Sequence, residues 1–156
     1  MRALTTTDVA RRPAPGTTAP TSVRFSPDGR ALTYLLAEPG SLHQSLHVVD
    51  VDRGTTRRVP TPGAAVDEAS VGIEERLRRE RARELAVGVT RYQWADGADR
   101  VLVPMADGLW VLDGLAGGGH HPPRLVVPAD DVDGAILDAR LSADGTRVGF
   151  VAGDEV

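Results

Sequence analysis

Residues 25–32 read Phe-Ser-Pro-Asp-Gly-Arg-Ala-Leu, and the fold class is predicted from this stretch and its repeats. Residues 94–101 and 141–148 share its pattern: a large apolar residue, an Asp-Gly pair, and a second apolar residue seven positions after the first. Asp-Gly closes a tight hairpin because glycine adopts positive φ at little steric cost. In the middle copy the Asp-Gly pair sits one place earlier, so a different turn geometry is expected there.

Each of the first two hairpins is followed by further short runs of strand-forming residues. Residues 46–52 and 108–113 contain an Asp before a turn with Gly, and residues 56–59 and 124–127 follow as another short strand. This makes three or four short antiparallel strands per unit, the layout of a β-propeller blade. The second and third copies begin 47 residues apart, which is within the range of blade-length repeats.

A charged segment interrupts the strand pattern between the first and second copies. Residues 67–87 are rich in strong helix formers, and Glu74–Arg78 and Glu75–Arg79 are favourable pairs one helical turn apart. We therefore expect an inserted α-helix over about 67–87. Its apolar stripe is narrow, so the charge pairs rather than core packing are expected to stabilise it.

Composition excludes several classes of function. The 156 residues carry a net charge of -4, whereas a nucleic-acid-binding domain normally presents a basic face. All 18 basic residues are Arg, a bias typical of GC-rich bacterial genomes. The sequence has no Cys, which excludes disulfides, zinc–thiolate sites and thiol nucleophiles. Residues 1–20 have no apolar run of signal-peptide length, so we expect an extended N-terminal segment on a cytoplasmic protein that does not contact a membrane.

Several residues have both a chemical and a structural interpretation. Ser26 and Ser142 lie in hairpins and lack the Gly-x-Ser-x-Gly setting of an exposed nucleophile. The glycine-rich run 114–119 lacks the Lys of a phosphate-binding loop, so an interstrand loop is favoured. His120 and His121 and the acidic run 130–133 are interpreted as loop and turn residues, and His43 and His47 likewise as solvated residues rather than metal ligands. Neither a cofactor nor a metal site is predicted.

The order of these features resembles the N-terminal propeller of dipeptidyl-peptidase IV enzymes, which are serine peptidases of the prolyl oligopeptidase clan. The resemblance covers roughly residues 3–156, and its most specific part joins residues 74–83 to Gly-Val-Thr-Arg-Tyr at 88–92. It implies an all-β fold: a partial β-propeller over residues 21–156, with about two antiparallel blades, the start of a third, and the inserted helix.

The activity of that family belongs to an α/β-hydrolase domain, which the propeller covers. Its members release N-terminal dipeptides, usually after Pro or Ala, with a triad of Ser, Asp and His. No residue of that triad is matched here, so the resemblance implies that this chain is inactive alone. The implied partners are the hydrolase domain of the parent peptidase and a peptide substrate, and a homodimer of the parent is compatible with the resemblance.

Arg83 is the candidate substrate-binding residue. In the cytosolic animal members of the family, one arginine near the end of the matching helix contacts bound substrate, and an ungapped match back from Gly88 places it at Arg83. Arginine suits this role because its planar guanidinium can donate to a peptide carbonyl. The structural alternative for Arg83 is a solvated helix face. The functional alternative for the whole chain is a non-enzymatic β-propeller module that binds protein or peptide partners.

Overall fold

Short strands follow one another throughout the computed structural model, which describes residues 19–38, 43–61, 87–119 and 121–153. These ranges contain eleven strands and one 3-10 turn, so the all-β prediction is confirmed. The strands are β1 (Thr21–Phe25), β2 (Ala31–Ala37), β3 (His43–Asp50), β4 (Thr55–Arg58), β5 (Val87–Gly88), β6 (Gln93–Trp94), β7 (Arg100–Met105), β8 (Gly108–Asp113), β9 (Arg124–Pro128), β10 (Ile136–Leu141) and β11 (Val148–Ala152). Within these ranges, no helix has the length and apolar character needed to cross a lipid bilayer.

The first sheet is a meander of β1, β2, β3 and β4, each antiparallel to the next. Seven consecutive residue pairs, from Ala31↔Asp50 to Ala37↔Gln44, join β2 to β3. The two-residue strand β5 pairs in parallel with the start of β3. Alternate residues of β2 are buried and the residues between them are half-buried, because successive side chains of a strand point to opposite faces.

The second sheet repeats this meander with β6, β7, β8 and β9, and the third consists of the hairpin β10-β11. Each of the three predicted hairpins thus lies in a sheet of its own, and none of these sheets closes on itself within the described ranges. The predicted strand 108–113 coincides with β8. The predicted strands 46–52, 56–59 and 124–127 differ from β3, β4 and β9 by one to three residues at their ends.

The first and third hairpins share one set of internal hydrogen bonds. Ser26 Oγ donates to Asp28 Oδ1 at 2.7 Å, and Ser142 Oγ donates to Asp144 Oδ1 at 2.6 Å. The glycine after each aspartate has φ near 72° and 71°, the left-handed conformation that Asp-Gly predicts. Hydrogen bonds from Ser142 and then Thr146 lower the pKa of Asp144 to about 2. The charged carboxylate therefore organises the turn.

The middle hairpin has a different turn, as its shifted Asp-Gly pair predicts. Gly97 does not adopt the left-handed conformation of the other two glycines. Its N–H instead donates to Ala143 O of the third hairpin at 2.8 Å, and Arg100 N–H donates to Ala98 O at 2.8 Å within the turn. The middle turn therefore also joins the second sheet to the third.

Apolar side chains pack between the sheets in two clusters. The cluster between the first and second sheets includes Ala31, Leu35, Leu46, Val48, Trp94, Val101, Val103 and Leu112. The cluster between the second and third sheets includes Leu102, Leu109, Val111, Ala139 and Leu141. The second sheet is therefore covered on both faces, and residues 101–103 of β7 are fully buried.

Two predictions fall largely outside the described residues. The predicted helix over 67–87 lies outside the described residues except at Val87. Val87 belongs to strand β5, so the end of the predicted helix was wrong by this residue. The N-terminal segment 1–20 also lies there, apart from Ala19 and Pro20.

Candidate functional site

One repeat position distinguishes the first sheet from the other two. The residue that opens each copy, Phe25, Trp94 or Leu141, pairs across its hairpin with the apolar residue seven positions later. Trp94 and Leu141 are each 8% exposed because they pack in the cluster shared with the preceding sheet, whereas Phe25 is 62% exposed. The first sheet thus exposes a position that the other two bury against a neighbour.

The difference extends to Leu32, Tyr34 and Val49 on the same face of the first sheet, which are half-buried. Cross-strand partners share a face, so the face of Phe25 also carries alternate residues of β2 and β3. This surface, here called the outward face, carries Phe25, Leu32, Tyr34, Leu36, Ser45, His47 and Val49, and the β4 residues Thr56 and Arg58 lie at its edge. At the equivalent positions of the second sheet, Val101, Val103 and Leu112 are fully buried. The outward face has the composition of a sheet-packing surface, but among the described residues no sheet packs on it.

A stacked pair of rings lies in the middle of the outward face. Tyr34 and His47 are cross-strand partners whose ring centroids are 5.3 Å apart, with 11° between the planes. Burial lowers the pKa of His47 from 6.5, the Arg58 cation lowers it further, and Glu38 acts in the opposite direction. Arg58 and Glu38 form an exposed ion pair at 2.9 Å. Burial and Arg58 together favour the neutral imidazole, which suits contact with an apolar partner.

Two aromatic side chains, Trp94 in β6 and Tyr92 just before it, fix the orientation of the second sheet against the first. Trp94 Nε1 donates to Thr33 Oγ1 at 2.8 Å, and both residues are buried. The Tyr92 hydroxyl donates to Ser22 O at 2.5 Å, and burial raises the pKa of this phenol. These bonds add directional contacts to an otherwise apolar interface.

Arg100 makes the corresponding polar contact between the second and third sheets. Its Nη1 donates to Gly145 O in the third hairpin at 2.7 Å, and its Nε donates to Asp113 Oδ1 at 2.6 Å. The hydrogen bond to Asp113 raises the pKa of Arg100. The charge pair within the second sheet therefore holds the guanidinium in position to bind the third.

A cleft of about 210 Å³ opens between the first and second sheets, on the side of the first sheet opposite the outward face. One wall is the β3-β4 connection with β4, and the other is the glycine-rich loop after β8. Its floor is apolar and consists of the buried residues Val48, Leu115 and Ala116. Its charged side chains are Asp50, Arg53 and Arg57.

The glycine-rich run 114–119 lies in the connection between β8 and β9, as predicted. Ala116 N–H donates to Asp99 Oδ1 at 3.0 Å, and Gly117 N–H donates to Asp99 Oδ2 at 3.1 Å. From the first sheet, Arg57 Nη2 donates to Gly119 O at 3.0 Å. These two loop N–H groups are thus satisfied by a carboxylate of the protein and are not available to a phosphate.

The other residues that the sequence singled out for possible chemistry are not brought together. Arg83 and His120 lie outside the described residues. Ser26 and Ser142 bond to aspartates of their own hairpins. His43 and His47 lie on one strand about 13 Å apart, too far to share an ion. In the part of the chain that the structure describes, no three His, Asp or Glu residues are grouped as a metal site.

Sequence reasoning located the strands of the outward face but missed the cleft. Arg57 and Gly119 are 62 positions apart, and no local motif marks their contact. No protein-family model matches the chain, and no curated protein matches it either.

Proposed function

We propose that this chain is the N-terminal part of a β-propeller in a serine exopeptidase that releases N-terminal dipeptides. In this proposal the two meanders are successive blades, and β10-β11 begins a third. The observation that carries it is the burial of one repeat position: Trp94 and Leu141 pack against a preceding sheet, and Phe25 does not.

The environment of the second sheet supports a ring. In a propeller, each sheet packs face to face on two neighbours. Val101 and Leu112 pack in the cluster with the first sheet, while Leu102 and Val111, on the other face, pack in the cluster with the third. Because Trp94 and Leu141 make the same contact with the preceding sheet, further copies of the repeat would extend the series by the same interface.

The outward face is where we place the last sheet of that ring. Its occupant would be a further antiparallel sheet of the same polypeptide, presenting residues equivalent to Leu102, Leu109 and Val111. Those residues are the ones by which the second sheet contacts the third. An apolar occupant fits the centre of the outward face, where Phe25, Leu32, Tyr34 and Val49 lie and where the neutral form of His47 is favoured, while the polar Thr56 and Arg58 lie at its edge.

The peptidase assignment has a separate basis, the resemblance of residues 74–83 and 88–92 to dipeptidyl-peptidase IV enzymes. By this proposal the propeller covers an α/β-hydrolase domain that supplies the catalytic triad, and Arg83 contacts the bound peptide. The chain alone would then bind its partner domain without cleaving peptides.

Self-association of the 156-residue chain tests the role of the outward face. Sedimentation velocity should show a mass that rises with concentration, and Phe25→Ser should weaken this association several-fold by removing an exposed ring from an apolar surface. Val51→Ser is the matched control, because Val51 is 46% exposed but lies in the turn after β3. A chain that remains monomeric at about 0.1 mM, or equal effects of both substitutions, would contradict the docking role.

The peptidase assignment is tested in the parent protein with a chromogenic X-Pro substrate. Arg83→Ala should lower kcat/KM by roughly 10- to 150-fold, the loss expected for a charged hydrogen bond of about 1.5–3 kcal/mol. Arg140→Ala is the control, since Arg140 forms an exposed ion pair with Asp138 and such pairs contribute little. A parent with more Asp-Gly repeats but no Gly-x-Ser-x-Gly and no X-Pro cleavage would support the non-enzymatic module and leave the propeller proposal standing.

A further inference from the structure

We propose that the cleft between the first and second sheets binds a small ligand through an oxyanion, either a phosphate or a carboxylate. The volume of about 210 Å³ equals that of about seven water molecules, enough for such a group with a short organic part. The cleft lies on the face of the first sheet opposite the outward face, so this site is independent of both parts of the proposed function.

Two guanidinium groups supply the hydrogen-bond donors. Arg57 is the cross-strand partner of Val48, so both lie on the cleft side of the first sheet. The bond from Arg57 Nη2 to Gly119 O fixes this side chain, and within the described ranges the N–H groups on its Nε and Nη1 remain for a ligand. Arg53 donates from Nη1 to Asp50 Oδ2 at 2.8 Å and likewise keeps further donors.

The charged side chains of the cleft leave it with an excess of one positive charge. Asp50 accepts the Arg53 backbone N–H at 2.9 Å and the Arg53 guanidinium on its other oxygen. These bonds lower the pKa of Asp50, so its negative charge offsets the positive charge of Arg53. Among the residues lining the cleft, no further acidic side chain offsets the positive charge of Arg57. The nearby Asp99 also carries a negative charge, but its oxygens are occupied by the N–H groups of Ala116 and Gly117 and it does not line the cleft.

The floor of the cleft favours an organic oxyanion over a simple halide. Val48, Leu115 and Ala116 are nearly fully buried, and an apolar surrounding strengthens the charged hydrogen bonds made above it. A planar guanidinium matches two oxygens of one phosphate or carboxylate, a geometry that a spherical ion cannot use. The floor in turn offers contact to a short aliphatic part of the ligand.

The test is an NMR titration of the full 156-residue chain at constant ionic strength, with phosphate in one series and succinate in another. We expect saturable shifts at the amides of Thr55, Arg57 and Gly118, with a Kd in the range of about 0.1–5 mM. Saturation by phosphate alone or by succinate alone supports the site and assigns its ligand class. The proposal would be overturned if the chemical-shift changes increased linearly with ligand concentration up to about 50 mM in both series. Changes at the amides of all exposed arginines would overturn it as well.

Three arginine variants separate a built site from general surface charge. Arg57→Gln and Arg53→Gln should each raise the Kd about tenfold. Arg53 is 74% exposed, so its substitution keeps the test valid if the Arg57 variant folds poorly. Arg58→Gln is the matched control. Arg58 follows Arg57 in β4 but lies on the side of the first sheet away from the cleft, where it pairs with Glu38. Equal weakening by all three substitutions would contradict the proposal.

Discussion

Ser26 and Ser45 are both almost fully buried, but their hydroxyls differ in hydrogen bonding. Ser26 Oγ donates to Asp28 Oδ1 at 2.7 Å and accepts from Ala31 N–H at 2.9 Å, whereas Ser45 Oγ has no partner among the residues that the structure describes. Burying an unpaired hydroxyl costs free energy, and removing a paired one leaves its partner unsatisfied.

The two serines should therefore respond to alanine in opposite ways. We expect Ser26→Ala to lower the free energy of unfolding by about 1–3 kcal/mol, because the buried Ala31 N–H loses its acceptor. We expect Ser45→Ala to leave it unchanged or to raise it by up to about 1 kcal/mol. Urea denaturation of both variants measures the difference. A loss at Ser45 as large as the loss at Ser26 would show that its hydroxyl has a partner in solution.

At the scale of the elements, the β7-β8 hairpin depends on one glycine. Gly108 has φ of 139°, and a Cβ there would lie 2.1 Å from Val127 O in the neighbouring strand β9. Both the backbone conformation and the contact exclude a side chain, so β9 could not keep its register beside β8.

We expect Gly108→Ala to destabilise the second sheet by on the order of 3 kcal/mol or more. Gly149→Ala in β11 is the matched control, because a Cβ there meets no atom of the described residues within 4 Å. Removing a glycine from such an open position should be neutral or slightly stabilising. Hydrogen exchange of β8 and β9 amides measures the effect, and protection equal to wild type in Gly108→Ala would contradict the close packing.

At the scale of the whole molecule, the outward face links stability to pH. Because burial and the Arg58 cation lower the pKa of His47 in the folded state, the unfolded chain takes up a proton first as the pH falls. The stabilising contribution of neutral His47 is therefore complete above about pH 6.5 and decreases as the pH falls towards the folded-state pKa.

Thermal unfolding between about pH 5 and pH 8 measures this linkage, with His47→Gln as the comparison. We expect the wild-type Tm to fall more steeply below about pH 6.5 than the Tm of the variant. In a protein with a further sheet on the outward face, stronger desolvation should deepen the dependence. Identical pH profiles for wild type and His47→Gln would show that the imidazole is solvated in the folded state.

Much of the fold could be predicted because turns and strands depend on neighbouring residues. The Asp-Gly pairs at 28–29 and 144–145 specified the left-handed glycine, and the displaced pair at 96–97 correctly indicated another turn. The predicted strand ends were less accurate, since β3 begins at His43 rather than at residue 46 and ends at Asp50 rather than at residue 52. Hydrogen bonds to neighbouring strands fix where a strand ends, and these are not local in sequence.

Local sequence was enough to specify the three hairpins and the alternation of side chains along the strands, because each depends on steric preferences within a few residues. Packing between the sheets, by contrast, determined that Phe25 is exposed while Trp94 and Leu141, at the same repeat position, are buried. The same packing placed Arg57 against Gly119 to form the cleft. Burial and cleft formation both require a second surface, and segments far away in the chain supply it.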